Sequence, residues 1–554
     1  LTKSDQYDRD KLQADIDRLE SFYRDRGFMD FAVTSTQVSL SPDRKWIYLT
    51  VNVDEGKVYR VKGYQLQGDL IVPRTELESL ITFKPGDRYN RSEVRKSTDA
   101  LRTRLADEGY AQAQVNVVPN ADKLSGEVSF DILVTPGIKT YVRQIGFTGN
   151  TKTYDRVLRR ELRQQEASLY SGSDVARSEE RLRRLPQVET LEQAIHPVPG
   201  TPDQVDLEYK ITERSTSRIQ GGIGYGQSSG ALFNLEYNDN NFLGTGNSLG
   251  INFGKSSSEQ RYGFDFTDPY FTADGVSINY AFDYSKTNYR KERLSDWAAD
   301  TLDATITFGY PLTEYQSVYF GGGFRTLKIN TGDNVASEIT DYLNKKGRRY
   351  KEGVVTLAWN KDTQDNTYLP TKGSLNKISG EIPLPGSDDT YYKIGYRNRT
   401  YFPLNDDKSL ILGLRGDIAY GGGYGKTDDL PFYRHYYAGG LTTVRGFEHS
   451  SLGPRYSNGD TSGGDFRTVG GVELMTPWKI NEKSNNVRVG TFIDFGNVYS
   501  KPKDFDLGEF RYSGGLFVQW MSPLGPLNLS YAVPIKKKDG DEKEAFQFSF
   551  GMGF

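Results

Sequence analysis

Residues 545–554 read Ala-Phe-Gln-Phe-Ser-Phe-Gly-Met-Gly-Phe, and this segment is the strongest indicator of the fold. Large apolar side chains occupy every second position, and polar or very small residues fill the positions between them. A period of two predicts a β-strand with one apolar face. In a transmembrane β-barrel lipid covers such a face, and about ten residues allow a tilted strand to cross the bilayer. The alternative is a buried terminal strand of a β-sandwich, which needs a covering layer.

The composition favours the barrel. The chain has 554 residues, a mean hydropathy of -0.64 and 13% aromatic residues, with 37 Tyr, 29 Phe and 58 Gly. Barrel strands alternate and therefore average out to polar, and aromatic residues form girdles at both membrane interfaces. The net charge of -3 gives no electrostatic basis for binding nucleic acid. The absence of Cys excludes disulfides and thiolate chemistry, and we predict no cofactor and no metal.

The first ~213 residues contain a repeat of mixed helices and strands. Apolar residues at helical spacing run from Leu12 to Tyr23 and end at Gly27, and the same pattern ends at Gly109, which lies 82 residues further on. Two alternating strands follow each helix, and the complete unit reads β-α-α-β-β. A period near 80 residues indicates tandem domains rather than a solenoid. The predicted copies cover residues 1–56 (partial), 57–137 and 138–213.

Helical periodicity ends near Ser215, and residues 214–554 alternate between an apolar and a polar face. Seven short turn clusters divide this region, and several contain Pro or Gly. With eight outer loops they predict an antiparallel transmembrane barrel of about 16 strands. The longest connection, residues 421–466, is predicted to be a large outer loop. The turn clusters are residues 240–247, 268–275, 310–315, 369–373, 402–407, 476–482 and 522–526.

The long loop contains the motif Val444-Arg445-Gly446-Phe447. Together with Phe492-Ile-Asp-Phe-Gly496, the Phe-rich last strand and the tandem modules, this motif resembles the POTRA-plus-barrel outer-membrane assembly superfamily. Within it, the likeness is to the family that forms the central subunit of the bacterial β-barrel assembly machine. The resemblance covers essentially the whole chain. That family has five POTRA modules, so we expect an N-terminally truncated chain that lacks two modules and part of a third, in agreement with a start at Leu1 rather than Met.

The resemblance implies that the long loop folds back into the barrel lumen. Arg445 would then contact Glu473 and Asp494 on neighbouring strands, with Phe492 and Gly496 beside it. The alternation of the strands independently places Glu473 and Asp494 on the polar, inward face. A guanidinium held by two carboxylates would fix the loop through charge-assisted hydrogen bonds. The alternative is a solvated arginine in a surface loop.

The first and last barrel strands are predicted to meet at a weak seam, because glycine weakens a strand and leaves backbone groups exposed. An opened seam would present strand edges on which the next strand can form. We therefore predict an outer-membrane assembly factor that folds and inserts β-barrel proteins through this seam, with its N-terminal modules in the periplasm. No bond is made or broken in such a process, so we predict that the protein is not an enzyme. The predicted seam residues are Ile219, Gly221, Gly222, Ile223 and Gly224 on the first strand, and Phe546, Phe548, Phe550, Gly551, Gly553 and Phe554 on the last.

The expected partners are unfolded outer-membrane proteins with their periplasmic chaperones, lipoprotein subunits of the assembly complex, and the lipid bilayer. Residues 157–166 resemble the segment of this family that meets a lipoprotein subunit. Arg159 and Glu166 lie seven residues apart and would share one helical face if the helix extends that far. The alternative is a solvated charged helix. Two other functions remain open, a two-partner-secretion translocator of the same superfamily and a passive porin.

Overall fold

The computed structural model describes residues 9–43, 46–227, 230–292, 294–313, 315–366, 368–405, 408–478, 486–522 and 525–551. The chain divides into two units, Leu1–Arg214 and Ser215–Phe554. The first unit contains the α+β modules, and the second contains the barrel. Among the described residues, no helix is both long enough and apolar enough to cross a membrane.

The first module is a helix followed by a two-stranded antiparallel sheet. Tyr23 on the helix stacks on Phe31 with ring centroids 4.2 Å apart, which fixes the helix against the start of the sheet. The chain turns away after the helix at Gly27, whose φ of +101° is a left-handed conformation that favours glycine. The elements are α1 (Arg9–Arg24), β1 (Ala32–Leu40) and β2 (Ile47–Asp54).

The second module has the predicted β-α-α-β-β order. Asn90 caps its long helix by accepting a hydrogen bond from the Glu93 amide. Leu101 and Leu105 on that helix are fully buried against Phe130 and its neighbours in the sheet. The elements are β3 (Arg60–Gly68), α2 (Arg74–Ser79), α3 (Arg91–Asp107), β4 (Gln114–Asp122) and β5 (Glu127–Thr135), in the sheet order β3-β5-β4 with β3 parallel to β5.

The third module repeats this plan with a shorter first helix and one additional short strand. Ser171 caps the second helix by accepting from the Asp174 amide. The elements are β6 (Tyr141–Thr148), α4 (Asp155–Arg159), β7 (Ser168–Leu169), α5 (Gly172–Arg183), β8 (Val188–Pro197) and β9 (Gln204–Glu213), in the sheet order β7-β6-β9-β8.

The second unit is a closed barrel of 16 antiparallel strands, which confirms the predicted fold class and strand number. All seven predicted turns join consecutive barrel strands. The barrel strands are β10 (Ser217–Gly226), β11 (Gly230–Phe242), β12 (Asn247–Lys255), β13 (Glu259–Asp268), β14 (Ser277–Asn288), β15 (Trp297–Thr313), β16 (Gln316–Thr331), β17 (Arg349–Asp362), β18 (Gly373–Pro383), β19 (Tyr391–Pro403), β20 (Ile411–Gly423), β22 (Phe466–Pro477), β23 (Val487–Tyr499), β24 (Arg511–Ser522), β25 (Gly525–Lys536) and β27 (Phe546–Phe550).

The outer loops carry their own structure. Helix α6 (Ser337–Lys346) packs Ile339 and Leu343 into a cluster with Trp297 and Phe432, and Phe432 belongs to the long loop between β20 and β22. That loop also forms the two-residue strand β21 (Gly446–Phe447), which pairs with β26 (Lys543–Glu544). The long loop is therefore attached both to the cluster around α6 and to strand β26.

Candidate functional site: the luminal loop and the barrel seam

Arg445 joins the long loop to the barrel wall. Its Nε and Nη2 donate to the two carboxylate oxygens of Asp494 at 2.7 and 2.8 Å, and Nη2 also donates to Glu473 Oε1 at 2.6 Å. The Arg445 side chain is 6% exposed, and Asp494 is fully buried. A two-pronged guanidinium–carboxylate contact fixes direction as well as distance. The backbone amide of Arg445 donates to Asp494 as well, at 3.1 Å.

A second arginine balances the charge of this cluster. Arg415 on β20 contacts Asp494 at 2.7 Å, and it also donates to the carbonyl of Thr442 in the loop at 3.2 Å. Two cations therefore face the two carboxylates of Asp494 and Glu473, which is the pairing that buried charges require. Arg415 was not among the predicted site residues, although the alternation of its strand places it on the polar face.

The other motif residues support this arrangement by packing. The Arg445 guanidinium lies over the ring of Phe492 with its central carbon 3.5 Å from the ring centroid. Val444 and Phe447 are fully buried in one apolar cluster of loop and barrel residues. Gly446 has a φ of +87°, and a Cβ there would lie 3.0 Å from the side chain of Ala532. The motif thus combines an ion pair, apolar packing and close backbone approach.

Gly496 is required by close backbone approach, and its place beside Arg445 stays a prediction. A Cβ at Gly496 would lie 2.5 Å from the carbonyl oxygen of Thr468 on the neighbouring strand. Close backbone approach between β22 and β23 is therefore the physical reason for glycine here.

The long loop has a second anchor that sequence reasoning missed. Arg434 donates to Glu352 Oε2 on β17 at 3.1 Å, and the Glu352 side chain is 1% exposed. Arg325 lies 3.5 Å from the same carboxylate, and Tyr391 donates to it at 3.1 Å. Because these residues are separated by up to about a hundred positions in sequence, no local pattern could pair them.

The seam between β10 and β27 is the shortest ladder of the barrel among the described residues. Tyr225 pairs with Phe550 and Gly226 pairs with Ser549, whereas each ladder from β10–β11 to β24–β25 aligns eight or more residue pairs. The Tyr225 ring stacks on that of Phe548 at 5.5 Å. Within the part of the chain that the structure describes, the backbone ladder of the seam has two positions, and one aromatic contact and the side-chain hydrogen bonds described below add to it.

The glycines of the first strand differ in what surrounds them. A Cβ at Gly221 or Gly222 would meet no atom within 4 Å, whereas one at Gly224 would lie 2.5 Å from the carbonyl oxygen of Phe550. Ile219 and Ile223 point outward and are 76% and 74% exposed. Only Gly224 of these three glycines is required by close approach across the seam.

Within the described residues the last strand spans Phe546–Phe550, and the chain bends at Gly551, whose φ is +72°. Within this span Gln547 and Ser549 are buried on the inner face, and Phe546 is 51% exposed on the outer face. The predicted seam residues Gly553 and Phe554 lie outside the described residues.

The predicted partner surface has a different local structure. Helix α4 ends at Arg159, so Arg159 and Glu166 do not share a helical face; the Ser178 hydroxyl instead accepts from the amide of Arg163 at 2.7 Å as the chain turns. Arg159 and Glu166 pair directly at 2.9 Å. Glu166 also accepts from the Ile145 amide at 2.8 Å, and this hydrogen bond, followed by the Arg159 pair, lowers the pKa of Glu166. Both side chains stay partly exposed.

These features define a class of protein: a membrane β-barrel that follows small periplasmic-type α+β modules and holds a loop in its lumen. Comparison with known protein families supports this class. The Omp85 superfamily domain matches residues 241–554, and the POTRA model, a surface antigen variable number repeat, matches residues 1–56, 59–137 and 140–214.

Individual relatives narrow the assignment. The chain is 34% identical to the outer membrane protein assembly factor BamA of Neisseria meningitidis over its whole length and 74% of that protein. It is 25% identical to BamA of Nitratidesulfovibrio vulgaris over 98% of this chain and 67% of that protein. A crystal structure of BamA from Haemophilus ducreyi lacking POTRA domains 1-3 matches 90% of this chain and all of its own, with a TM-score of 0.76 and 34% identity.

The chain therefore belongs to the Omp85 superfamily and, within it, to the BamA family of outer membrane protein assembly factors. The family predicted from the sequence is confirmed, as is the location of the barrel in the outer membrane with POTRA modules in the periplasm.

Proposed function

We propose that this protein folds and inserts β-barrel proteins into the outer membrane by strand addition at the seam between β10 and β27. The observation that carries the proposal is the two-position ladder at this seam. On the side facing β27, the described residues provide no ladder partner for Ser217–Gly224 of β10. Unpaired amide and carbonyl groups on such an edge form a template for an incoming strand. The relatives named above are assembly factors, which supports the same function.

In this proposal the long loop closes the lumen and stabilises the wall beside the seam. Arg445 fixes the loop to β22 and β23, and Gly446 and Phe447 pair with the segment that leads into β27. Substrates are unfolded outer-membrane proteins delivered by periplasmic chaperones. Strand exchange rearranges hydrogen bonds and forms no covalent bond, so the protein acts as an assembly factor and not as an enzyme. The surface around Arg159 and Glu166 contacts a lipoprotein subunit of the complex.

The test is a reversible covalent closure of the seam. Gly226→Cys with Ser549→Cys places two thiols at aligned positions, and the chain has no other Cys to compete. We expect the oxidised protein to assemble no substrate barrel in proteoliposomes and reduction to restore assembly. The control pair, Ser379→Cys with Gly395→Cys, joins β18 and β19 in the opposite wall and should leave assembly unchanged when oxidised. Full activity with a quantitatively crosslinked seam would contradict the proposal and direct attention to the lumen or to the surrounding bilayer.

A further inference from the structure

The side chain of Gln227 takes the place of a strand residue at the seam. Its Nε2 donates to the carbonyl of Phe546 at 3.2 Å, and its Oε1 accepts from the amide of Phe548 at 3.3 Å. These two backbone groups lie two residues apart on β27 and face β10, which is the pair that a neighbouring antiparallel strand would bond. The ladder ends one residue earlier, at Gly226 and Ser549. The amide of a side chain therefore continues the ladder where the backbone turns away.

A second glutamine holds the same strand from inside the barrel. Gln547 is 2% exposed; its Oε1 accepts from the Gly446 amide at 3.1 Å, and its Nε2 donates to the Phe447 carbonyl at 2.7 Å. The last strand is thus tied to the loop motif through Gln547 and to the first strand through Gln227. Only the second of these ties crosses the seam.

We propose that Gln227 is a positioning residue that closes the outer end of the seam, and that its two hydrogen bonds break before β27 separates from β10. This inference rests on the proposed strand addition at the seam. A side-chain amide satisfies one N–H and one C=O that would otherwise be open to pairing with the wrong strand. Because the side chain rotates about its own bonds, it releases the edge of β27 without any movement of the β10 backbone.

The choice of side chain follows from the bonding pattern. Glutamine supplies one donor and one acceptor at the same reach. Glutamate would keep the acceptor for the Phe548 amide but lose the donor and place a negative charge near the Phe546 carbonyl. Leucine, of similar size, would lose both bonds. At position 227, glutamine should therefore hold the seam closed most strongly, glutamate less strongly and leucine least.

The experiment measures hydrogen exchange at the Phe548 amide in the full chain reconstituted in nanodiscs. We expect Gln227→Leu to speed this exchange about fivefold, the factor that one ordinary hydrogen bond contributes to an equilibrium, and Gln227→Glu to give a smaller increase. Gln519→Leu is the matched control, since Gln519 and Gln227 line one cavity in the lumen and Gln519 makes no side-chain hydrogen bond among the described residues. Its exchange at Phe548 should equal that of the parent.

Unchanged exchange in a folded Gln227→Leu variant would overturn this inference whatever the seam does. If that variant fails to fold, Gln227→Ala gives the same decision, because it also leaves the Phe548 amide without its acceptor. Faster exchange combined with full assembly by the crosslinked seam would leave the role of Gln227 standing and remove the proposed route of substrate entry. The two results are thus independent.

Discussion

Arg445 and Asp494 lie 49 residues apart in sequence, yet they form a two-pronged ion pair inside the barrel. Asp494 accepts from both the side chain and the backbone amide of Arg445, so the carboxylate fixes the position of the loop as well as its charge. Asp494 has a second ion-pair partner, Arg415. Glu473, in contrast, has Arg445 as its only ion-pair partner among the described residues.

Arg445→Ala should loosen the loop and lower the temperature at which the barrel shifts to the unfolded band in heat-modifiability gels. Losing one partner of a buried ion pair costs about 3–5 kcal/mol. Because Arg415 still pairs with Asp494, the uncompensated charge is mainly that of Glu473, and we expect a cost at or below the lower end of that range. Arg445→Lys should recover part of the loss, since lysine keeps the charge but not the two-pronged geometry.

The control for this prediction is Arg261→Ala, which removes an exposed ion pair with Asp283 between two barrel strands and leaves the loop unaffected. Its effect should be small, as for other exposed pairs. If Arg445→Ala matched the parent in both melting and assembly activity, the loop would be held by packing alone.

Arg434→Ala tests the second anchor of the loop. Its removal leaves Glu352 with Arg325 at 3.5 Å and the Tyr391 hydroxyl at 3.1 Å, so the carboxylate keeps compensation. We therefore expect a smaller fall in the heat-modifiability temperature than for Arg445→Ala. The double variant should lose more than the sum if the two anchors hold the loop jointly. A larger effect for Arg434 than for Arg445 would reverse this ranking.

The register of the seam predicts which cysteine pairs crosslink. Gly226→Cys with Ser549→Cys should oxidise quickly, because the two positions are aligned. Gly224→Cys with Ser549→Cys should oxidise slowly, since it is offset by two residues, and a Cβ at Gly224 also meets the Phe550 carbonyl at 2.5 Å. Crosslink yields on non-reducing gels decide between them. Equal yields would indicate that the strands slide past each other on the timescale of oxidation.

Glu166→Lys should weaken co-purification of the lipoprotein subunit while the barrel stays folded. The substitution replaces the Arg159 pair by repulsion and removes the acceptor for the Ile145 amide. Glu180→Lys is a matched control, since it breaks the exposed ion pair that Glu180 on α5 forms with Arg184 in the same module. Partner recovery that is equal for the parent and Glu166→Lys would remove this surface from the proposal.

The stability of the POTRA modules should depend on the charge of Glu166. Its pKa is lowered in the folded protein, first by the hydrogen bond from Ile145 and then by Arg159. Its contribution is therefore present above the ordinary pKa of glutamate and is lost as pH falls through the lower, folded value. We expect the urea midpoint for loss of helical circular dichroism to fall between about pH 5 and pH 3, with a smaller fall in Glu166→Gln. An equal fall in both proteins would exclude Glu166 as a source.

The sequence alone determined the β-α-α-β-β order of the modules and the number of barrel strands. Alternation over residues 214–554 and helical spacing up to residue 213 separate strands from helices because side-chain direction follows the backbone period. The same alternation put Glu473 and Asp494 on the inner face. Local patterns of this kind depend only on neighbouring residues, so they can be read without a fold.

Only the tertiary structure decided which distant groups meet. Arg415 beside Asp494, Arg434 beside Glu352 and Gln227 on the edge of β27 each join positions that no local period relates. The end of α4 at Arg159 and the bend at Gly551 likewise depend on contacts made after the chain has folded. The physical reason is that hydrogen bonds and ion pairs act over a few ångströms in space, whereas the sequence orders residues only along the chain.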